Sequence, residues 1–214
     1  PLKEKKDISL GLISSDGKFK RISITEISDI SNRSTTILKL KENIKLKSCI
    51  LCDESSYLYI VSDIGRIIKT ELTEENFPSK GKLAQGTSII KLFPGEKIVD
   101  ALCINKKKNK DLILITNKGS FIKLNSQEIK ISKKGELGTM GIHIKDSNKT
   151  KDRVINCFIN TKHLYIKTDK DKYVKLEPDQ FENSLYKKAQ KLNIKLNNNE
   201  LIKSTFSMIM PEKN

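Results

Sequence analysis

Apolar and polar positions alternate along most of the chain in short runs, a pattern typical of half-buried β-strands. Pairs of runs are joined by a polar turn, and the resulting phrase recurs four times as LISSDGKFKRI, YIVSDIGRIIKTEL, LITNKGSFIKL and YIKTDKDKYVKL. The turn positions are Gly17, Gly65, Gly119 and Asp171, which are about fifty residues apart. A strand-rich repeat of this period predicts an all-β, propeller-like array with four visible blades.

The repeats follow one another without a linker, so we expect a single domain over residues 1–214. Its expected blades lie at approximately 8–56, 57–109, 110–161 and 162–210. One segment is ambiguous, because Leu185, Ala189 and Leu192 recur at helical spacing within residues 184–195. Alignment of the repeats predicts a loop and a strand there, and we follow the alignment.

Each turn position suits a left-handed backbone, which glycine adopts without steric cost and Asp tolerates better than most residues. The second strand then carries a basic residue at the same position of every copy, namely Arg21, Lys69, Lys123 and Lys175. One basic side chain per repeat predicts a ring of positive charge around the array. A solvated strand face is the alternative interpretation.

A second phrase closes each repeat, and its copies are LKSCI, IVDAL, VINCF and LIKST. Its fourth position is always small, being Cys49, Ala101, Cys157 and Ser204. Small residues are expected where strands crowd toward a central axis, so we interpret Cys49 and Cys157 as small buried hydrophobes. Cys52 completes a CxxC with Cys49, but a zinc site needs two further ligands and this pattern alone is weak evidence for metal.

The most variable part of each repeat lies between the two phrases. Its copies are SNRSTTILKL, SKGKLAQGTSIIKL, SKKGELGTMGIHIK and YKKAQKLNIKL, and each is a basic loop that enters an alternating strand. Basic residues beside Gly-rich backbone are candidates for holding phosphates without reading bases. They are Arg33, Lys80, Lys82, Lys133, Lys134, Lys187 and Lys188. Solvated loops are the alternative, and Leu83 excludes a P-loop because Ser or Thr must follow the lysine.

The charge balance points to a polyanionic partner. The chain has 41 Lys and Arg against 26 Asp and Glu, which gives a net charge of +15. Part of the lysine excess is also consistent with the codon bias of an AT-rich genome. No run of eighteen apolar residues and no signal peptide is visible, so we expect a domain of a longer cytoplasmic protein with no membrane contact.

Together, the turn phrase, the closing phrase and the period resemble the C-terminal domain of the bacterial type IIA topoisomerase A subunit, which occurs in DNA gyrase and topoisomerase IV. The resemblance covers residues 8–209. It implies a β-pinwheel, in which strands are exchanged between blades, and a basic rim that bends double-stranded DNA. The implied partners are DNA, the ATP-binding B subunit and the rest of the A subunit.

Gyrase carries the box QRRGGKG in its first blade, and this chain departs from it. The best alignment is KGKLAQG at Lys80–Gly86, which keeps the last glycine but loses the paired arginines and the double glycine, and falls in the second visible repeat. The departure favours a topoisomerase IV-like domain. A divergent gyrase domain, with a box that has decayed or lies upstream of Pro1, stays open.

The resemblance places the DNA-cleaving tyrosine and the ATP site in other parts of the enzyme, so we expect a non-catalytic domain without a cofactor. With two histidines and no Ser/His/Asp or Cys/His constellation, the residues offer no nucleophile with a base. A protein-interaction propeller is the more distant alternative. The chain has no Trp, which excludes the WD repeat, and kelch double-glycine motifs are absent.

Overall fold

The structure is a computed structural model that describes residues 8–28, 34–144, 151–161, 163–182 and 188–206. Within these ranges the chain forms fifteen strands, one short α-helix and one 3-10 turn at Pro178–Gln180. The helix, α1, spans Ile24–Ser28. The all-β fold class is therefore confirmed.

The strands form four sheets, which are the four blades. The first blade contains β1 (Ser9–Ser14), β2 (Lys18–Ser23), β3 (Leu46–Cys52) and β6 (Thr87–Ser88). The second contains β4 (Ser56–Ser62), β5 (Arg66–Glu71), β7 (Ile98–Asn105) and β10 (Thr139–Met140). The third contains β8 (Asp111–Thr116), β9 (Ser120–Asn125), β11 (Val154–Ile159) and β14 (Gln190–Lys191). The fourth contains β12 (Leu164–Thr168), β13 (Tyr173–Leu176) and β15 (Ile202–Phe206).

Strands are exchanged between neighbouring blades, which identifies the fold as a β-pinwheel. In sequence, β6, β10 and β14 belong to the second, third and fourth repeats, but each pairs with the sheet of the preceding repeat. The short strand β14 lies in the segment with helical spacing, and residues 188–195 contain no helix, as the repeat alignment predicted.

The turn glycines make this exchange possible. Gly17, Gly65 and Gly119 have φ between 74° and 89°, and Asp171 has φ 57°, as the turn chemistry predicted. A Cβ on Gly65 would lie 2.5 Å from Ile142 Cγ2, an atom of the segment that follows β10. A glycine is therefore needed both for the backbone angle and for the close approach of the exchanged segment.

The closing strands β3, β7, β11 and β15 are the inner strands, because successive members contact one another. The small position of the closing phrase is buried at Ala101 and Cys157, as predicted. The prediction is wrong for Cys49, which is exposed, because no blade among the described residues covers that face of the first blade. The prediction is also wrong for Ser204, because the residue equivalent to Ala101 in the fourth repeat is the next one along the chain. Thr205, which pairs with Ile166, holds the position that Ala101 holds opposite Ile60.

Candidate nucleic-acid interface

The strand position that is basic in every repeat does not form an open ring of charge. Arg21, Lys69 and Lys123 are only 5%, 5% and 9% exposed. The expectation of an accessible ring is therefore wrong for these three residues, since each of them is in contact with a group of the following repeat. Lys175 is exposed, and its Nζ lies 3.9 Å from Glu177 Oε1.

The buried basic side chains are held by internal partners. Arg21 forms ion pairs with Glu74 and, at 3.3 Å, with Glu54. Lys69 donates to the Ser126 carbonyl at 3.0 Å and lies over the Tyr57 ring at 4.6 Å, and burial lowers its pKa. Lys123 donates to the Phe181 carbonyl at 3.1 Å. These contacts give each of the three buried charges a partner within the fold, so the three side chains have a structural role.

Arg66 is a buried basic residue that the sequence analysis missed. Its Nε donates to Glu96 Oε1 at 2.9 Å, and Nη2 bonds the other oxygen of the same carboxylate. A further guanidinium bond at 2.8 Å reaches the Lys91 carbonyl, and the Phe93 ring stacks on the guanidinium at 4.4 Å. Burial by itself would raise the pKa of Glu96, but hydrogen bonds from Arg66 and from the Phe93 N–H hold it below its ordinary value.

The loop lysines of the second repeat lie at the outer edge of the first blade. Residues 80–86 lead directly into β6, and the Lys80 N–H donates to the Arg21 carbonyl at 2.8 Å. Lys80 Nζ bonds Thr87 Oγ1 at 2.8 Å, and both Lys80 and Lys82 are partly exposed. The segment that best aligns with the gyrase box therefore belongs to the second repeat in sequence but to the first blade in space.

The third repeat has the same arrangement, at the outer edge of the second blade. Lys133 and Lys134 are exposed in the loop that leads into β10. The Gly135 N–H donates to the Ile89 carbonyl at 2.9 Å, which places this loop against the segment that follows β6. The second basic loop thus lies beside the end of β6, the strand into which the first basic loop leads.

The fourth repeat contributes exposed Lys188, just before β14 at the edge of the third blade. Arg33 and Lys187 lie outside the described residues. Sequence reasoning did not single out the exposed lysines of the first repeat, Lys39, Lys41, Lys45 and Lys47. Their signal was present as lysines two or four positions apart, but only Lys39 and Lys47 lie within the repeated phrases, and neither recurs there as a basic position of every copy.

Metal ligands and thiols are two further kinds of group to consider in the described residues. Among them, no group of three or more His, Cys, Asp and Glu side chains could hold a metal ion. Burial raises the pKa of the Cys157 thiol well above its ordinary value, as expected for a structural cysteine. No helix in this part of the chain is long and apolar enough to cross a membrane.

Comparison with known proteins gives the family. A family model described as "DNA gyrase C-terminal domain, beta-propeller" matches residues 12–53, 56–105 and 110–160, roughly two thirds of the chain. The chain belongs to this family. The resemblance to the C-terminal domains of type IIA topoisomerase A subunits is therefore confirmed.

Curated proteins with similar sequences agree with this family. The chain is 27% identical over 147 residues to the gyrase A protein of Borrelia hermsii and 25% identical over 147 residues to that of Borreliella burgdorferi. Each match covers 65% of this chain and 17% of the relative, so the chain corresponds to a small part of those proteins.

Solved structures show the same fold. The C-terminal domain of DNA topoisomerase IV has a TM-score of 0.80 at 17% identity, over 95% of this chain and 62% of that one. The DNA gyrase A C-terminal domain has a TM-score of 0.77 at 18% identity, over 94% and 66%. At these identities the likeness concerns the fold and does not separate gyrase from topoisomerase IV.

Proposed function

We propose that this domain binds double-stranded DNA along its outer rim and bends it, so that duplex is presented to the cleavage core of the same A subunit. The observation that carries the proposal is the position of the basic loops. Loops 80–86 and 132–138 and Lys188 each precede a strand that is the outermost in its sheet. Inner strands contact one another at the opposite edge, so the basic loops of successive blades follow the periphery.

The chemistry of the rim suits the phosphate backbone. Lysine is a flexible point charge without the planar fork that reads guanine, and backbone amides in glycine turns add donors that carry no sequence information. A curved row of such contacts selects DNA that bends at low cost instead of a base sequence. Binding by these groups needs no cofactor.

The experiment measures affinity for a linear duplex at several salt concentrations in the presence of EDTA. If about five to eight phosphates are neutralised, log K falls against log[salt] with a slope of roughly −4.5 to −7. A slope near zero, or binding that requires a divalent ion, would contradict the proposal.

Within the type IIA enzymes we propose a topoisomerase IV-like role, because the paired arginines and double glycine of the gyrase box are missing from the chain. Single lysines spread over several blades suit gentle bending, whereas tight wrapping has to offset several kcal/mol of DNA deformation at a dense anchor. A gyrase-type wrapping domain is the second candidate. It is favoured by the curated gyrase relatives and by the place of Lys80–Gly86 on the first blade.

Plasmid topology separates the two candidates. The complete enzyme, with its A and B subunits, is incubated with relaxed circles and ATP, and the products are separated on a gel. A topoisomerase IV-like enzyme leaves the circles without negative supercoils and decatenates linked circles. Robust negative supercoiling would assign the domain to gyrase while leaving DNA binding by the rim intact.

A further inference from the structure

The inner strands of the first two blades, β3 and β7, contact one another through one face of each. Ser48 Oγ of β3 donates to the Ala101 carbonyl of β7 at 3.0 Å. Because side chains at even spacing along a strand share a face, Cys52 lies on the face of Ser48 and Cys103 on the face of Ala101. Cys52 and Ala101 belong to one apolar cluster, and Cys103 packs against it. Two cysteines from different strands therefore lie in the same interface between blades.

This pair is different from the CxxC of the sequence. Cys49 and Cys52 are three positions apart on one strand, so their side chains point to opposite faces of it. Cys49 is exposed, whereas Cys52 is buried. The fourth cysteine, Cys157, is buried on β11 in a different apolar cluster. The cysteine that Cys52 meets is thus Cys103 and not its neighbour in the motif.

The next interface has isoleucines at the two equivalent positions. Counted from the small residue of the closing phrase, Ile104 is equivalent to Cys52 and Ile159 is equivalent to Cys103. Ile104 is buried in the cluster that joins the second and third blades, and Ile159 packs against that cluster. Since isoleucine is accommodated at both positions there, a need for small size does not explain the two cysteines. What distinguishes them from isoleucine is the reactivity of sulfur.

The two thiols are chemically unequal. A hydrogen bond with the Cys103 side chain lowers the pKa of the Cys52 thiol, burial opposes this effect, and the positive charge of Arg21 lowers the pKa further. The same hydrogen bond, together with burial, raises the pKa of Cys103. Cys52 is therefore the thiol that more readily becomes a thiolate, which is the nucleophilic form. Cys103 is partly exposed, so a small oxidant can reach the pair from its side.

We propose that Cys52 and Cys103 are a redox modification site, at which hydrogen peroxide forms a reversible disulfide between the first two blades. The Cys52 thiolate attacks one peroxide oxygen, the O–O bond breaks, and the released hydroxide takes up the proton that Cys52 lost. The Cys103 sulfur then attacks the sulfur of the Cys52 sulfenic acid. The S–S bond forms, the S–O bond breaks, and the oxygen leaves as water with the Cys103 proton. Two thiols and one peroxide thus give one disulfide and two waters.

The disulfide links the inner strands of neighbouring blades and closes the loop of residues 52–103. Such a cross-link reduces the conformational freedom of the unfolded chain, so the oxidised domain resists denaturant better than the reduced one. A dithiol attacks the bond, passes through a mixed disulfide and returns both cysteines to thiols while it is itself oxidised. The oxidation state of the pair therefore controls how firmly the first two blades are held together.

The test uses the Cys49→Ser variant as the parent chain, because it lacks the exposed thiol. The parent keeps three of the four cysteines, and after treatment with dilute hydrogen peroxide we expect one to react with a thiol reagent in denaturant, namely Cys157. Mass spectrometry of unreduced peptides is expected to show the Cys52 peptide joined to the Cys103 peptide. The midpoint of urea denaturation is expected to rise on oxidation, and a dithiol is expected to restore both the thiols and the midpoint.

Matched variants of the parent separate the pair from general oxidation. Adding Cys52→Ser or Cys103→Ser is expected to abolish the joined peptides and the rise in midpoint, whereas adding Cys157→Ser is expected to preserve both. Circular dichroism verifies folding, and Cys103→Ser, at the partly exposed position, decides the test if Cys52→Ser is unfolded. The proposal is overturned if three thiols stay reactive, if Cys52 becomes a sulfinic acid without a bond to Cys103, if the joined peptides contain Cys157, or if the midpoint does not rise.

Discussion

The interior between blades and the outer rim both contain basic residues that recur from repeat to repeat. Those of the interior are buried, whereas those of the rim are exposed. In the interior, Arg21, Arg66, Lys69 and Lys123 are nearly inaccessible and bonded to carboxylates, carbonyls or aromatic rings. On the rim, Lys133, Lys134 and Lys188 are exposed in loops. The difference teaches that a basic residue repeated in phase is not by that fact a binding residue. Of these two sets of residues, the rim lysines are the ones that an incoming phosphate can reach.

The interior should respond most strongly to the loss of Arg66. Arg66→Ala leaves the Glu96 carboxylate, whose side chain is 1% exposed, without its counter-charge. We expect the free energy of unfolding to fall by about 3–5 kcal/mol, measured by urea denaturation. The Arg66→Ala/Glu96→Ala double variant should recover part of this loss, and strictly additive effects would contradict a direct coupling.

The packing between blades can be tested at one position in two blades. Ala101→Leu overfills the interface of the first and second blades and should destabilise the domain by about 1–3 kcal/mol. Cys49→Leu at the equivalent exposed position of the first blade should change stability by less than about 0.5 kcal/mol. Equal losses in the two variants would show that the first blade is as tightly covered as the second.

The rim should control DNA binding without controlling folding. Lys133→Ala/Lys134→Ala should weaken duplex binding and reduce the salt slope by about 0.9 for each phosphate that is no longer neutralised, with an unchanged denaturation midpoint. Lys69→Met, which removes an interior charge, should leave the salt slope unchanged once folding is verified. The opposite result would move the DNA-binding surface from the loops to the strands.

The smallest change in stability is expected when the pH is lowered. The pKa of Glu96 is lower in the folded chain than in the unfolded one, so its contribution to stability is present at neutral pH and is lost as pH falls through the folded value. Wild type and Glu96→Gln should therefore converge in stability below the ordinary glutamate pKa of about 4.3. Denaturation midpoints between neutral and acidic pH measure this, and a constant difference would contradict the linkage.

The sequence by itself determined the hairpins, their repetition and the family. Glycine or Asp at the turn specifies a local backbone angle, and alternation with period two specifies which residues share a face of a strand, so both can be read without any distant contact. The rim lysines were found in the same way, because loops between strands lie at the surface.

Tertiary structure decided what covers each face. Thr87 pairs with Phe19 and Gln190 with Phe121, so the strand that completes a blade comes from the next repeat, and no local pattern contains it. The next repeat also supplies groups that contact the buried Arg21, Lys69 and Lys123, at Glu74, Ser126 and Phe181, although the sequence context of the three basic residues is equivalent to that of exposed Lys175. Cys49 and Ala101 likewise share a motif and differ only in whether a neighbouring blade packs on them. Whether a residue is buried depends on the contact between blades, and the sequence of a single repeat does not contain the residues of the blade that covers it.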